Sequence, residues 1–349
     1  MPTKQNQEAA SWAKLPISFK IGVASLLNRK ARLSLQLCSK EDQDIVLSSR
    51  FDLKTLAISG HYDENANFEF SRFDITSSVP APYWRTYSNK KKMMRSSATN
   101  EFIRIFRTGS QVQELHLKRG RTMNNFLESL LNRIRDEQIV NDKKLKIKVK
   151  EICWSGSIHK EYTHFLNFLR YVSPSYLEKI TFESHDIPIA ALKELVQTEQ
   201  FESMKNVTIF PTINISLDSF LHLDSMDLTY PTLCPKDAMR LVKKYLKESL
   251  PIDSCFNINS EQMLPESFKE RLFDLMGLPN TEDARKSISR NGDFHIMKFD
   301  VNAETVFLLK IDEFSIFGVT VSKQFIDGWQ KDLAVFVCLR IDGYDFYDS

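Results

Sequence analysis

Few residues of this chain have the types and spacing that metal chemistry requires. Cys153, His159 and His164 come closest to a metal-binding set. Two histidines that share a metal on one helix are usually four residues apart, whereas these are five apart, and no second cysteine accompanies Cys153. The five cysteines lie at least 21 positions from one another, which excludes C-x-x-C zinc and redox motifs. We therefore predict no metal site and reduced thiols, as in a cytoplasmic or nuclear protein.

Glycine spacing excludes the common nucleotide and hydrolase motifs. The chain has ten glycines, and no two are closer than ten positions. A phosphate-binding loop needs closely spaced glycines, and so does the turn that carries a hydrolase serine. His185 and Asp186 are adjacent but belong to no nucleophile–base set. The sequence predicts a binding protein with no catalytic residue and no cofactor, and therefore not an enzyme.

Positive charge is concentrated in one region. Residues 85–150 contain 17 Lys/Arg and 6 Asp/Glu, a net charge of +11, whereas the whole chain has +2. Within this region apolar residues alternate with four lysines, which are Lys144, Lys146, Lys148 and Lys150. Such a strand could bind a nucleic acid or another acidic ligand. It could equally be a half-buried strand whose lysine face is solvated, and this reading is preferred.

No segment has the length of a membrane helix. The longest apolar run, 333–339, has seven residues, far fewer than the roughly 20 that span a bilayer. Residues 1–14 are polar and lack the apolar region of a signal peptide. We expect a flexible arm there and no membrane partner.

Periodicity divides the rest of the chain into four regions. Residues 15–50 are helical in character, although the alternation at 31–37 alone would favour a strand. For residues 51–110 we predict a strand-rich connecting region, with a long loop at 77–100 and a strand at 101–107. Residues 111–325 alternate strands and amphipathic helices. Residues 326–349 predict a last strand and a tail.

The alternating region predicts a repeat. Strands are predicted to begin near residues 115, 145, 177, 204, 220 and 255. The fifth of them spans 219–224. An amphipathic helix usually follows each strand. Such units bury their apolar faces by stacking, as in leucine-rich-repeat arrays. The strict L-x-x-L-x-L consensus is missing, so we predict a degenerate β–α array in the α/β class with a strand-rich C-terminal end. An ordinary α/β sheet with an antiparallel edge is the alternative.

The N-terminal helical region resembles an F-box. The resemblance rests on Leu15-Pro16, Ile21, Leu26-Leu27, the run from Arg32 to Lys40, and Ile45-Val46. Gln36 stands where an arginine is common, and the usual acidic residue after Leu-Pro is missing. The resemblance implies that residues 31–37 are helical rather than a strand.

A second resemblance lies downstream. Residues 176–180 (Y-L-E-K-I) and 199–209 (E-Q-F-E-S-M-K-N-V-T-I) are similar to the FTH domain of nematode-type F-box A proteins. Phe201 replaces the usual tryptophan and Met204 the usual alanine. An F-box followed by this domain is more specific than either alone.

Together the resemblances imply a substrate receptor of a Skp–cullin–F-box ubiquitin ligase. The helices would dock on a Skp-type adaptor, and the C-terminal domain would capture an unknown protein target. The implied adaptor-binding residues are Leu15, Pro16, Ile21, Leu26, Leu27, Leu33, Leu37 and Cys38. The alternative is that these residues simply pack on the C-terminal domain.

Overall fold

A computed structural model describes the chain over residues 11–27, 29–50, 52–61, 72–78, 88–118, 123–141, 145–155, 159–183, 187–247, 250–277 and 295–324. The first helices are α1 (Ile17–Leu26), α2 (Arg29–Gln36) and α3 (Lys40–Ser48). The next elements are β1 (Leu53–His61), β2 (Arg72–Ser78), β3 (Ser88–Met94), α4 (Arg95–Arg107), β4 (Gln111–Lys118) and α5 (Met123–Asn141).

Strands and helices then alternate. The elements are β5 (Lys148–Trp154), α6 (His159–Leu169), β6 (Lys179–Phe182), α7 (Ile189–Leu195), α8 (Glu199–Ser203), β7 (Asn206–Thr212), β8 (Ser225–Tyr230), α9 (Pro235–Lys247), β9 (Cys255–Ser260) and α10 (Glu266–Met276). Three strands follow, β10 (His295–Asp300), β11 (Thr305–Ile311) and β12 (Ser315–Ser322).

The twelve described strands form one sheet in the order β10-β11-β12-β9-β8-β7-β6-β5-β4-β1-β2-β3. The seven central strands, β1 and β4 to β9, are parallel. An antiparallel pair, β2 and β3, extends one end, and three antiparallel strands extend the other. The predicted α/β class with a strand-rich C-terminal end is thus confirmed.

A six-residue pattern repeats along the parallel sheet. Apolar residues occupy the first, fourth and sixth positions of 53–58, 112–117, 149–154, 177–182, 204–209 and 223–228, and all eighteen are at most 3% exposed. The array keeps the spacing of L-x-x-L-x-L but substitutes other apolar residues for leucine, which is why the strict consensus is missing. The fourth and sixth positions share one face because alternate strand residues point to the same side, and the first position lies within two residues of the start of each strand.

Helices cover this apolar face of the sheet. Trp154 of β5 packs on Phe165 of α6 with ring centroids 4.7 Å apart, and Phe165 in turn meets Phe182 of β6 at 5.7 Å. Phe102 of α4 contacts Phe126 of α5 at 6.1 Å. These aromatic contacts join consecutive units into one core, as stacking of repeats requires.

Two expectations for residues 77–107 are wrong. Instead of one long loop at 77–100, the described residues there belong to β2, β3 and α4. The predicted strand at 101–107 is the second half of α4. Phe102 and Phe106 are four residues apart and contact each other on one helical face, with ring centroids 4.9 Å apart. Ile103 and Ile105 are two residues apart, and this spacing made the segment look like a strand.

The predicted strand at 219–224 is also misplaced. Residues 217–220 form a short 3₁₀ turn, in which Ser216 caps the backbone N–H of Asp218. Strand β8 begins only at Ser225. Leu217, Phe220 and Leu223 are buried and three residues apart, which is the spacing of a 3₁₀ turn rather than of a strand.

One local prediction is confirmed. Residues 31–36 are helical within α2, as the family resemblance implied. Gly277 ends α10 in the left-handed conformation, with φ of 68°, where glycine carries no Cβ penalty.

Candidate functional site

A buried arginine fastens the N-terminal helical unit, α1 to α3. Arg32 of α2 donates through Nη2 to the carbonyl oxygens of Ser25, at 2.7 Å, and Arg50, at 2.8 Å. Its Nη1 donates to Ser49 Oγ at 3.1 Å, and its Nε donates to the Leu27 carbonyl at 3.0 Å. Burial lowers the pKa of Arg32 from its ordinary value, opposed by the charge of Asp52. One side chain thereby joins the ends of α1 and α3.

A second polar group joins the 3₁₀ turn at Trp12–Lys14 to α3. The indole Nε1 of Trp12 donates to Asp42 Oδ1 at 2.7 Å, and Ser39 Oγ donates to Oδ2 at 2.7 Å. These hydrogen bonds, first that of Trp12, hold the pKa of Asp42 below its ordinary value. The unit therefore relies on polar contacts as well as on its few buried apolar side chains, such as Ala24 and Ile45.

The predicted adaptor-binding residues do not behave alike. Leu26 and Leu37 are each 87% exposed, and Pro16 and Cys38 are also exposed. Leu15, Ile21 and Leu27 are partly buried. Leu33 lies in α2, but its side chain is outside the described part of the structure. The exposed members fit a docking role, and the partly buried members also contribute to packing within the unit.

Sequence reasoning missed two exposed apolar side chains. Ile17 is 60% exposed and Phe19 is 55% exposed. Phe19 and Leu26 are seven residues apart, and this spacing places both on one stripe of α1. That spacing was the signal that could have found Phe19. We call the stripe formed by Phe19 and Leu26 the apolar helix surface. Ile17 lies on the opposite side of α1, and Leu37 follows α2.

The lysine-rich strand is a structural strand with locally engaged lysines. Ile147 and Val149 are fully buried, as the alternation predicted. The ammonium of Lys148 lies 5.9 Å from the ring centroid of Tyr176, and that of Lys150 lies 3.3 Å from a carboxylate oxygen of Glu178. Lys146 is exposed, and Lys144 lies outside the described residues.

Arginines of the basic region are also paired. Arg104 binds Glu101 through two hydrogen bonds, of 2.7 and 2.8 Å. Arg107 of α4 and Arg133 of α5 both approach Glu137. These pairs neutralise part of the positive charge that the sequence concentrates at 85–150.

The face of the parallel sheet opposite the core is polar. Register places one polar row across it, consisting of His116, Cys153, Thr181, Thr208, Asp227 and Asn257. These six residues are neither fully buried nor fully exposed. We call this surface the open face.

Two groups on the open face have displaced pKa values. Burial raises the pKa of Asp227, although Asn257 Nδ2 donates to its carboxylate at 3.1 Å. Burial also raises the pKa of the Cys153 thiol, and the charge of Glu183 adds to this. A raised thiol pKa disfavours the reactive thiolate.

The three residues that come closest to a metal-binding set lie on two elements. Cys153 lies in β5, and His159 and His164 lie in α6, with the side chain of His159 outside the description. Across the described residues, no group of three or more His, Cys, Asp or Glu side chains could hold a metal ion. In the same ranges, every helix is too short or too polar to cross a bilayer.

From α5 to α10 the strands β5 to β9 alternate with helices. Residues 129–274 match the FTH domain. The match begins within α5 and ends within α10, so it contains β5 to β9 with their helices. It includes both segments on which the resemblance to this domain rested. Residues 15–50 lie outside the match, and their resemblance to an F-box stays a prediction. No curated protein matches the chain.

Proposed function

We propose that this chain is an F-box-type substrate receptor, in which α1 to α3 bind a Skp-type adaptor and the FTH domain captures a protein target. The observation that carries the proposal is the apolar helix surface. Phe19 and Leu26 expose one apolar stripe of α1, and Ile17 and Leu37 are exposed elsewhere on the same small unit, which precedes an FTH domain. Exposed large apolar side chains on one small unit are typical of a protein-binding surface.

The physics of the unit supports docking. Burying exposed apolar area yields about 25 cal/mol per Å², so covering several large side chains provides useful binding energy. The polar contacts of Arg32 and Asp42 hold the helices in place before binding, and this pre-organisation reduces the entropy that docking costs.

In this proposal the chain does no bond chemistry of its own. It would hold the target near a ubiquitin-loaded partner of the cullin–RING assembly. Proximity then raises the effective concentration of the reacting groups. The raised thiol pKa of Cys153 agrees with such a non-catalytic role.

The direct test is binding of the purified full chain to a Skp-type adaptor by calorimetry. We expect wild type to bind and the variant Leu26→Asp with Leu37→Asp to bind at least tenfold more weakly. The matched control is Leu275→Asp, because Leu275 is 43% exposed but lies on α10. Absence of wild-type binding would contradict the proposal, and so would equal binding by the double variant.

The alternative is an acidic-ligand binder that uses residues 85–150. It predicts affinity for a polyanion that falls steeply with salt and is lost in Lys146→Glu with Lys148→Glu. The contacts of Lys148, Lys150 and Arg104 with groups of this chain reduce the charge available for such a ligand. The receptor role is therefore the preferred proposal.

A further inference from the structure

A second exposed patch lies at the carboxyl ends of the sheet strands, far along the chain from the apolar helix surface. One member follows β6, one lies near the end of β7, two follow β9, and two precede β12. We call them the carboxyl-end rim, and they are Glu183, Phe210, Glu261, Met263, Glu313 and Phe314.

Backbone contacts hold these segments side by side. Phe182 pairs with Ile209, so Glu183 and Phe210 are level on neighbouring strands. Thr212 Oγ1 donates to Glu261, which joins the end of β7 to the turn after β9.

The turn before β12 lies next to this turn. The Ser260 amide donates to the Phe314 carbonyl at 2.7 Å, and the Leu264 amide donates to the Glu313 carbonyl at 2.7 Å. The rim is therefore one continuous surface.

The rim combines exposed apolar side chains with negative charge. Phe210 is 55% exposed, Met263 60% and Phe314 48%. In the segments 183, 210–213, 229–233, 260–264 and 312–315 there are four acidic residues and no lysine or arginine. Among the described residues, Lys310 pairs with Asp312 at 3.5 Å, and no lysine or arginine pairs with the three glutamates of the rim.

We infer that the carboxyl-end rim binds a protein segment that carries an aromatic or large aliphatic side chain flanked by lysine or arginine. Charge complementarity selects this partner, because three carboxylates without a lysine or arginine partner among the described residues repel an acidic segment and attract a basic one. Exposed aromatic residues are the usual anchors of such contacts. The inference deepens the proposed function by assigning a surface and a chemistry to target capture.

The probe is a random twelve-residue peptide library displayed on phage and selected on the full chain. We expect enriched sequences in which aromatic or large aliphatic residues neighbour lysine or arginine. A synthetic copy of an enriched peptide should bind wild type with an affinity that falls as salt rises.

Two rim variants locate the peptide. Glu261→Lys with Glu313→Lys, and Phe210→Ser with Phe314→Ser, should each weaken binding at least tenfold. The matched control is Ile189→Ser with Glu202→Lys, because both residues are exposed on α7 and α8. The charge variant alters only exposed side chains, so a folding defect of the phenylalanine variant does not decide the outcome.

Three results would overturn the inference: no enrichment over the blank selection, enrichment without basic residues, or peptide binding unchanged in both rim variants. Adaptor binding is measured on the same variants and should stay unchanged. Loss of the peptide with intact adaptor binding supports the rim and keeps the receptor role. If the wild-type chain does not bind the adaptor, only the proposed receptor role is contradicted, and the inference about the rim is judged by the peptide results.

Discussion

The ammonium of Lys20 in α1 lies 2.6 Å from a carboxylate oxygen of Glu41 in α3, although the lysine side chain is only 2% exposed. Nζ also donates to the Ala13 carbonyl at 3.4 Å and lies 5.9 Å from the centroid of the Trp12 ring. A buried ammonium needs such partners, because an uncompensated charge in the interior is costly. The contact fixes α1 against α3 and so sets the geometry of the apolar helix surface.

Glu41→Gln should destabilise this helical unit by about 1 kcal/mol, because the buried ammonium loses its anionic partner while Glu41 itself is partly exposed. Hydrogen exchange of the α1 and α3 amides measures the effect. Glu266→Gln is the control. It breaks an ion pair with Lys269 on α10, away from the helical unit, and Glu266 is 73% exposed. Equal exchange rates in Glu41→Gln and wild type would contradict the role of the contact.

Asp227→Asn should raise the melting temperature at pH 7. Burial raises the pKa of Asp227 in the folded chain, so its ionisation opposes folding at neutral pH, and asparagine keeps an oxygen to accept from Asn257. The loss of stability caused by this ionisation is absent below the ordinary aspartate pKa of about 3.9. It grows as the pH rises through the raised pKa that Asp227 has in the folded chain. Melting curves between pH 3 and pH 7 should show the gain vanishing in acid. A gain that is the same at every pH would show another cause.

Gly318→Ala should destabilise the C-terminal part of the sheet by about 1–3 kcal/mol. A Cβ at Gly318 would meet Phe256 and Phe307 ring atoms at 2.6 Å, and both rings are fully buried. Gly22→Ala is the control, because nothing lies within 4 Å of its Cβ and alanine favours the helix by up to about 1 kcal/mol. Urea denaturation compares the two, and the prediction fails if Gly318→Ala is as stable as wild type.

Neighbouring residues on β6 should respond very differently to alanine. Ile180 is fully buried in the six-residue pattern, so Ile180→Ala should cost about 3 kcal/mol of unfolding free energy. Thr181 lies on the open face, so Thr181→Ala should cost less than about 1 kcal/mol. Denaturant unfolding measures both values. Similar costs at the two positions would show that the open face is packed like the core.

The β–α array was predictable because its signal is local. Residues such as Leu177, Ile180 and Phe182 keep one spacing from strand to strand, and each helix that follows carries its own apolar stripe. Leucine alone was too narrow a criterion for the repeat. Any apolar residue satisfies the buried positions, because burial rewards apolar area rather than one residue type.

Other features depend on contacts between distant segments. The apparent strand at 101–107 is helical because Phe102 packs on Phe126 and Phe168 from later helices. The carboxyl-end rim unites side chains from residue 183 to residue 314. Alternation with the buried Val207 and Ile209 places Phe210 on the face opposite the core, but no local signal brings Met263 and Phe314 beside it.

The strand order of the sheet also has a consequence for synthesis. From β5 to β9 each strand pairs with the one made just before it, so a growing chain can add units in turn. The next neighbour of β9 is β12, which is made after β10 and β11. Until β12 leaves the ribosome, the nascent chain therefore presents β9 as an unpaired edge, and such edges invite pairing with other chains.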